Sequence, residues 1–330
     1  MARRRYELRT HLDEDTLAEV LALIDATTEL EGHRPVGEHK YAHLKVGASD
    51  WTGVLAYEDD MLTGYAHTRW SGPGERPRIA VEVVVHPQSD QAAIAEQLLG
   101  EAQAVLARAG GGLMWLWVHR VEDPNTTVAA KLGFAVQREL AFMTRPLTQP
   151  PDVPALPEGI TLRAYREGED DEAFLAVNNA AFAGHPENGD WDGATFAARR
   201  ALPWFDPEGL LMAWRREPDG SERCLGFHWT KWHGHDSEEV PAHEPVGEVY
   251  VLGIHPDAQG LGLGRTLLEA GLAHLYERGC RLAVLYVDCA STGAVALYES
   301  AGFALTYREV CYEQAVPPAV DAGPELERPA

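Results

Sequence analysis

The feature that most constrains this chain is that it repeats. Slid on itself by 169 positions, the distance from His86 to His255, the sequence meets itself without a gap. His86-Pro87 falls on His255-Pro256, Leu98-Leu99 on Leu267-Leu268, Gly110 on Gly279, Leu113 on Leu282, and Gly133-Phe134-Ala135 on Gly302-Phe303-Ala304. Matches this far apart at one offset mean one fold built twice in tandem. The stretch PLTQPPDVPALPEG, Pro146 to Gly159, carries five prolines and reads as an extended, semi-rigid connection. The expected division is therefore a first domain over 1–148, a linker over 149–158, a second domain over 159–316, and a disordered proline-rich tail over 317–330.

In the second half, ITLRAYR, GLLMAWRR, CLGFHWTKW, GEVYVLGI and RLAVLYVD read as strands. DEAFLAVNNAAF and GAVALYES read as helices, the latter ended by Gly302. Leu263, Leu267, Leu268, Leu272 and Leu275 keep the spacing of one helical face. Strands alternating with helices, with hairpins at both ends, predict an α/β fold around a mixed, mostly antiparallel sheet in each half.

Between the longest strand and the leucine face lies DAQGLGLGRTLLEAG. A loop without side chains running into a helix N-terminus offers free backbone N–H groups and the positive end of the helix dipole, an anion cradle suited to phosphate. A Walker A loop is excluded because position 259 is Gln and the lysine is absent. A GxGxxG fingerprint fails because Leu267 stands where its last glycine belongs.

The pattern that fits is Gln259, Gly262 and Gly264 after VYVLGIHP, followed downstream by Tyr298 and Gly302-Phe303. This resembles the acyl-CoA pyrophosphate loop and the Y-x-x-x-G-F segment of the GNAT N-acetyltransferase family, which implies two tandem GNAT domains using acetyl-CoA. The resemblance implies a CoA site of Leu252, Gly253, Ile254, Gln259, Gly260, Leu261, Gly262, Leu263, Gly264, Arg265 and the run Ser291, Thr292, Gly293, Ala294, Val295, Ala296. In that last part the chain reads Asp288-Cys289-Ala290-Ser291, where the family often has Asp-Asn.

The repeat supplies an internal control. Gln259, Gly262, Gly264 and Arg265 face Asp90, Ala93, Ala95 and Glu96, and Tyr298 faces Ala129. Methyl groups hinder close phosphate approach and a carboxylate repels it. The first domain is expected to be degenerate and structural or substrate-shaping, with Val83, Val84 and Val85 at its equivalent of the CoA strand.

Acetyl transfer from a thioester to an amine needs a neutral amine, donors to the developing oxyanion, and a proton for the departing thiolate. The backbone N–H groups near Leu252 to Ile254 are the expected oxyanion donors, with Tyr298 the acid at sulfur. Glu248, one alternation from Tyr250 and two from Leu252, is a carboxylate on an apolar strand and the expected base, directly or through water.

RPVGEHKY, AAFAGHPENGDW and GFHWTKWHGH extend the resemblance over nearly the whole chain to one branch of tandem GNAT enzymes, the mycothiol-synthesising branch. By that resemblance the acceptor is the cysteinyl amine of cysteinyl-glucosaminyl-inositol. Glu38, Glu187, Lys231, Glu248 and Tyr286 contact it. Trp229, Trp232 or Tyr286 offer an apolar face to a sugar ring. Other small amines, a protein N-terminus, or acyl-CoA binding without catalysis are the alternatives.

A net charge of −23 repels nucleic acid and anionic membranes and suits a cationic or neutral small substrate. No apolar run approaches the roughly 20 residues of a membrane span, and MARRRYELRT leads into no apolar signal core. A cytoplasmic monomer is expected. Cys224, Cys280, Cys289 and Cys311 show no paired spacing and read as free thiols. His233, His235 and His243 with Asp236 read as a solvated flap rather than a metal site; no metal is expected.

Overall fold

The alternation read from the sequence is realised in a computed structural model that describes residues 3–31, 35–37, 44, 51–71, 77–121, 123–185, 188–234 and 244–319. In chain order the strands are β1 (Arg4–Arg9), β2 (Trp51–Glu58), β3 (Met61–Ser71), β4 (Arg78–Val85), β5 (Gly112–Val118), β6 (Ala135–Pro146), β7 (Ile160–Ala164), β8 (Leu210–Arg216), β9 (Glu222–Trp232), β10 (Val246–Ile254), β11 (Leu282–Asp288) and β12 (Ala304–Val316). The helices are α1 (Glu14–Glu31), α2 (Gln91–Arg108), α3 (Val128–Lys131), α4 (Asp171–Ala181), α5 (Gly193–Arg200), α6 (Leu263–Glu277) and α7 (Thr292–Ser300).

Compactness divides the chain differently from the boundary expected at the prolines. One unit is Met1–Leu140 with Tyr307–Ala330, and the other is Ala141–Thr306. The first unit orders its sheet β1-β2-β3-β4-β5 and completes it with β12, whose Val310 to Val316 pair antiparallel with Val118 to Gly112. The second orders its sheet β7-β8-β9-β10-β11 and completes it with the end of β6. Strand pairing decides the division, because β5 and β11 each need a partner for their outer hydrogen-bonding edge. The proline-rich segment has no regular structure, yet Leu147 is buried and donates its N–H to the Arg281 carbonyl. Of the expected tail, Pro317 to Ala319 lie against the first unit, where the Ala319 N–H reaches the Ala107 carbonyl at 3.0 Å, and 320–330 fall outside the described residues.

In the second unit the leucine face of α6 is buried throughout, with Leu263, Leu267, Leu268, Leu272 and Leu275 against the sheet. Each such side chain contributes about 1.5–3 kcal/mol relative to exposure. The helix comes so close to β9 that a Cβ on Gly271 would lie 2.0 Å from His228 Nδ1. His228 itself is fully buried, and its Nδ1 shares a 2.8 Å hydrogen bond with the Leu267 carbonyl. Burial pushes its pKa down to about 4, so the ring is neutral at neutral pH. Cys224, Cys280 and Cys311 are buried and Cys289 half-buried, all as free thiols.

Candidate active site

Two irregularities of β10 build the site. The strand runs parallel to β11 only over Val246 to Glu248, paired with Leu282 to Val284, and among the described residues the two then part. It stays antiparallel to β9 out to Ile254, with a bulge between Val249 and Val251. The bulge reverses the alternation. Upstream, Gly247 and Val249 face α6; downstream, Leu252 and Ile254 face it instead. The sequence alternation put Glu248, Tyr250 and Leu252 on one face. The structure corrects this: Glu248 and Tyr250 face the α4–α5 side, and Leu252 faces α6. An inserted residue carries no sequence signature of its own.

The glycine loop opens beside the splayed strand on the α6 side. Gly260 and Gly262 both sit at φ +79°, the left-handed region that glycine enters without strain, and Gly262 is the residue that starts α6. Gly264 holds the loop close to its surroundings: a Cβ there would meet Leu297 of α7 at 3.4 Å and Ile254 at 3.9 Å. Loop, splay and α7 are thereby brought together. The backbone N–H groups of Gly260 to Gly264 make no hydrogen bond among the described residues, which leaves them for an anion. Gln259 and Leu261 are exposed beside them, and Ser291, Thr292, Gly293 and Ala296 are exposed at the start of α7 with Ala294 and Val295 half-buried.

Arg265, beside the cradle, is held by neighbours in its own unit. Its Nε donates to Glu269 Oε1 at 2.9 Å and its Nη1 to Ser300 Oγ at 3.1 Å. Glu269, only 2% exposed, also takes both hydrogen bonds of Arg145 Nη1, at 3.0 and 2.9 Å. Arg145 lies on the segment of β6 that belongs to this unit, so the triad ties that strand to α6.

Tyr298 is buried in the α6-side core with its ring 5.9 Å from Phe303. Burial raises its phenol above the ordinary range, so it holds its proton at all working pH values. Its hydroxyl makes no hydrogen bond among the described residues. Gly253, in the same strand as the expected oxyanion donors, is required by packing, since a Cβ would come within 2.7 Å of Phe227.

Across the sheet lie the polar groups. Glu248 pairs in register with Lys231 of β9 and with Val284 of β11, and paired residues project to one face. Tyr286, two residues beyond Val284, shares that face and is 44% exposed, its ring 4.9 Å from Phe142. Lys231 is buried with its ammonium 5.3 Å from the Trp204 ring centre. Tyr250 packs 4.7 Å from Trp204, and burial pushes its phenol upward against the opposing charge and hydrogen bond of Arg199.

Two groups on this face escaped the sequence reading, Arg199 and Trp204, and a third, His233, is not the solvated flap residue expected but a partner of Glu248. His233 Nε2 is 2.8 Å from Glu248 Oε2. The two-residue alternation from Lys231 to His233 was the available signal, overshadowed by the neighbouring histidines. His235, Asp236 and His243 lie outside the described residues, as do Glu38 and Glu187. Trp229 is not the open ring face the sequence offered: it is fully buried, packed between Phe174, Phe196 and Tyr250. Tyr286 remains open, and Trp232 is half-buried under Arg278 at 4.9 Å.

The first unit repeats the splay without the cradle. β4 and β5 pair over Arg78 to Val81 with Leu113 to Leu116, and beyond them Val83, Val84 and Val85 line a cavity of about 480 Å³ with Ala95, Trp117 and Ala129. The N-terminus of α2 is closed by its own carboxylate, Asp90 Oδ1 accepting from the Ala93 N–H at 3.3 Å. The N–H that corresponds to the free one of Gly262 is thus already occupied.

A parted parallel strand pair, an anion cradle at a helix start and a buried tyrosine in the core beneath them are the features of an acetyltransferase of the GNAT class. A family model described as "Acetyltransferase (GNAT) family" matches residues 172–303. The chain belongs to the mycothiol acetyltransferase family. It is 38% identical to the mycothiol acetyltransferase of Streptosporangium roseum, over 94% of this chain and 99% of that protein. It is 42% identical to that of Thermobispora bispora, over 89% and 95%. Among solved structures the fold resembles a GCN5-related N-acetyltransferase from Sphaerobacter thermophilus, TM-score 0.68 at 21% identity over 96% and 97% of the two chains. It also resembles a tandem GNAT protein from the clavulanic acid biosynthesis pathway, TM-score 0.67 at 16% identity over 96% and 100%. Among the described residues no helix is long and apolar enough to cross a membrane, and no group of His, Cys, Asp and Glu is arranged to hold a metal.

Proposed function

We propose that this chain transfers the acetyl group of acetyl-CoA to the cysteinyl amine of cysteinyl-glucosaminyl-inositol, forming mycothiol, and that the second unit performs the chemistry. The observation that carries this reading is the two-sided site. The cradle and Tyr298 lie on the α6 side of the sheet, Glu248, Lys231 and Tyr286 on the other, and the gap between β10 and β11 joins them.

Acetyl-CoA supplies the thioester, its pyrophosphate held by the N–H groups of Gly260 to Gly264. Glu248 takes a proton from the acceptor ammonium. An α-amino group titrates near 8, so about a tenth is already neutral at pH 7 and a carboxylate suffices as base. The neutral amine attacks the carbonyl carbon, and strand N–H groups near Leu252 to Ile254 receive the developing oxyanion. As the C–S bond breaks, the phenol of Tyr298 gives its proton to the thiolate, and the second proton of the attacking nitrogen returns to the phenolate, leaving a neutral amide, a neutral thiol and the starting tyrosine. Lys231 and Tyr286 bind the acceptor from the same face as Glu248, and Glu38 and Glu187 complete its contacts. The occupied cap at Asp90 supports a first unit without this chemistry.

The test is the purified protein with acetyl-CoA and a panel of amines, including cysteinyl-glucosaminyl-inositol, an aminoglycoside and a peptide N-terminus, with products read by mass spectrometry. The acetylated cysteinyl product should form at the highest kcat/KM. Preference for another amine, or acetyl-CoA binding without turnover on any, overturns the reading.

A further inference from the structure

We propose that His233 is a positioning residue for Glu248, orienting its carboxylate and conducting to solvent the proton that the carboxylate takes from the amine. The proposal rests on the reading of Glu248 as the base.

The geometry is that of a relay. His233 Nε2 lies 2.8 Å from Glu248 Oε2. The imidazole is held in place by its own backbone, whose N–H donates to the Val246 carbonyl at 3.0 Å as β9 and β10 end their pairing. Exposure rises outward along the pair, from 15% for the Glu248 side chain to 26% for that of His233. A base that works once per turnover must lose its proton before the next, and a hydrogen-bonded group that can both accept and release one gives it a path outward. The ammonium N–H bond breaks and the proton goes to Glu248. The carboxyl proton then passes along the Oε2–Nε2 hydrogen bond, and the imidazolium releases a proton to water. The sum is one proton from substrate to solvent, with both side chains restored.

Among the described residues, the other charged or titratable groups around the pair have the following placements. Lys231 lies across from Glu248 on β9 with its ammonium against Trp204. Tyr250 on β10 is engaged by Arg199 of α5. On β11, Tyr286 and Asp288 follow Val284 on the same face, and Asp288 Oδ1 accepts from the Ala290 N–H.

His233→Gln keeps a donor to the carboxylate but cannot carry a proton, so it separates orientation from relay. The expected result is a kcat about tenfold lower, an acetyl-CoA KM within about twofold of wild type, and a kcat profile between pH 5.5 and 9 whose shape differs from wild type. His233→Ala should recover rate on addition of imidazole, in proportion to its unprotonated form. A His233→Gln profile superimposed on wild type overturns the proposal, as does His233→Ala unmoved by imidazole. Glu248→Gln, assayed alongside, keeps the two readings apart. Full activity there removes the base itself, whereas an impaired Glu248→Gln beside a wild-type His233→Gln profile removes only the relay.

Discussion

Replacing Tyr298 with phenylalanine takes away one oxygen and leaves the ring in its packing. The hydroxyl has no hydrogen-bond partner among the described residues, so no buried group is orphaned, and the stability change should stay below about 0.5 kcal/mol. Truncation to alanine is different, since it empties a site packed by Phe303 and Leu297 and costs about 3–5 kcal/mol. The catalytic loss is set by what the phenol supplies. Burial keeps it protonated, and a positioned acid at a leaving group contributes on the order of 10²–10⁴-fold. Tyr298→Phe should therefore lower kcat by at least about 10²-fold, roughly 2.7 kcal/mol of barrier, with acetyl-CoA affinity within about twofold of wild type. The acceptor carries its own thiol, so a thiol reagent reads both substrate and released CoA; acetylated product measured by mass spectrometry avoids the ambiguity. Binding is measured separately by calorimetry. A kcat within a few-fold of wild type removes Tyr298 from the mechanism, and a Kd that rises as much as kcat falls makes it a binding group instead.

Gly262→Ala forces a left-handed residue with a Cβ at the cradle, at a cost of about 1–2 kcal/mol of stability. Acetyl-CoA affinity should fall about tenfold or more while kcat at saturation changes little, and an unaltered Kd would place the phosphates elsewhere. His228 makes stability pH-dependent: its pKa is about 6.5 unfolded and about 4 folded, so the unfolded chain binds the extra proton between these values. Its contribution is intact above pH 6.5 and is lost as pH falls through that window, by roughly 3 kcal/mol in all. Urea denaturation from pH 7 to 4 should show a shallower decline for His228→Gln than for wild type, and parallel declines would refute the assignment.

The sequence carried the elements and the cradle because both depend on local chemistry. The leucine spacing of α6, the apolar runs of β8 to β11 and the left-handed glycines are properties of neighbours in the chain. What it did not carry depends on distant pairing. The bulge that turns Leu252 away from Glu248 is one inserted residue on an apolar strand. The Arg265–Glu269–Arg145 triad was not legible because Arg145 lies more than a hundred residues back. Trp229 looked available because nothing in GFHWTKWHGH distinguishes a core tryptophan from a surface one. The repeat revealed two copies of one fold, but it could not reveal that each copy's sheet is completed by a strand from beyond the proline-rich segment.

That exchange of strands sets an order on synthesis. Residues 141–306 contain everything the second unit needs, whereas the first unit lacks its sixth strand until Val316 has been made. At about 5–20 residues per second, the amino-terminal half waits on the order of ten seconds or more, its β5 edge open, until the final strand arrives. The part of the chain made first is finished last: every strand of the second unit is made before residue 306, and the last strand of the first unit only after it.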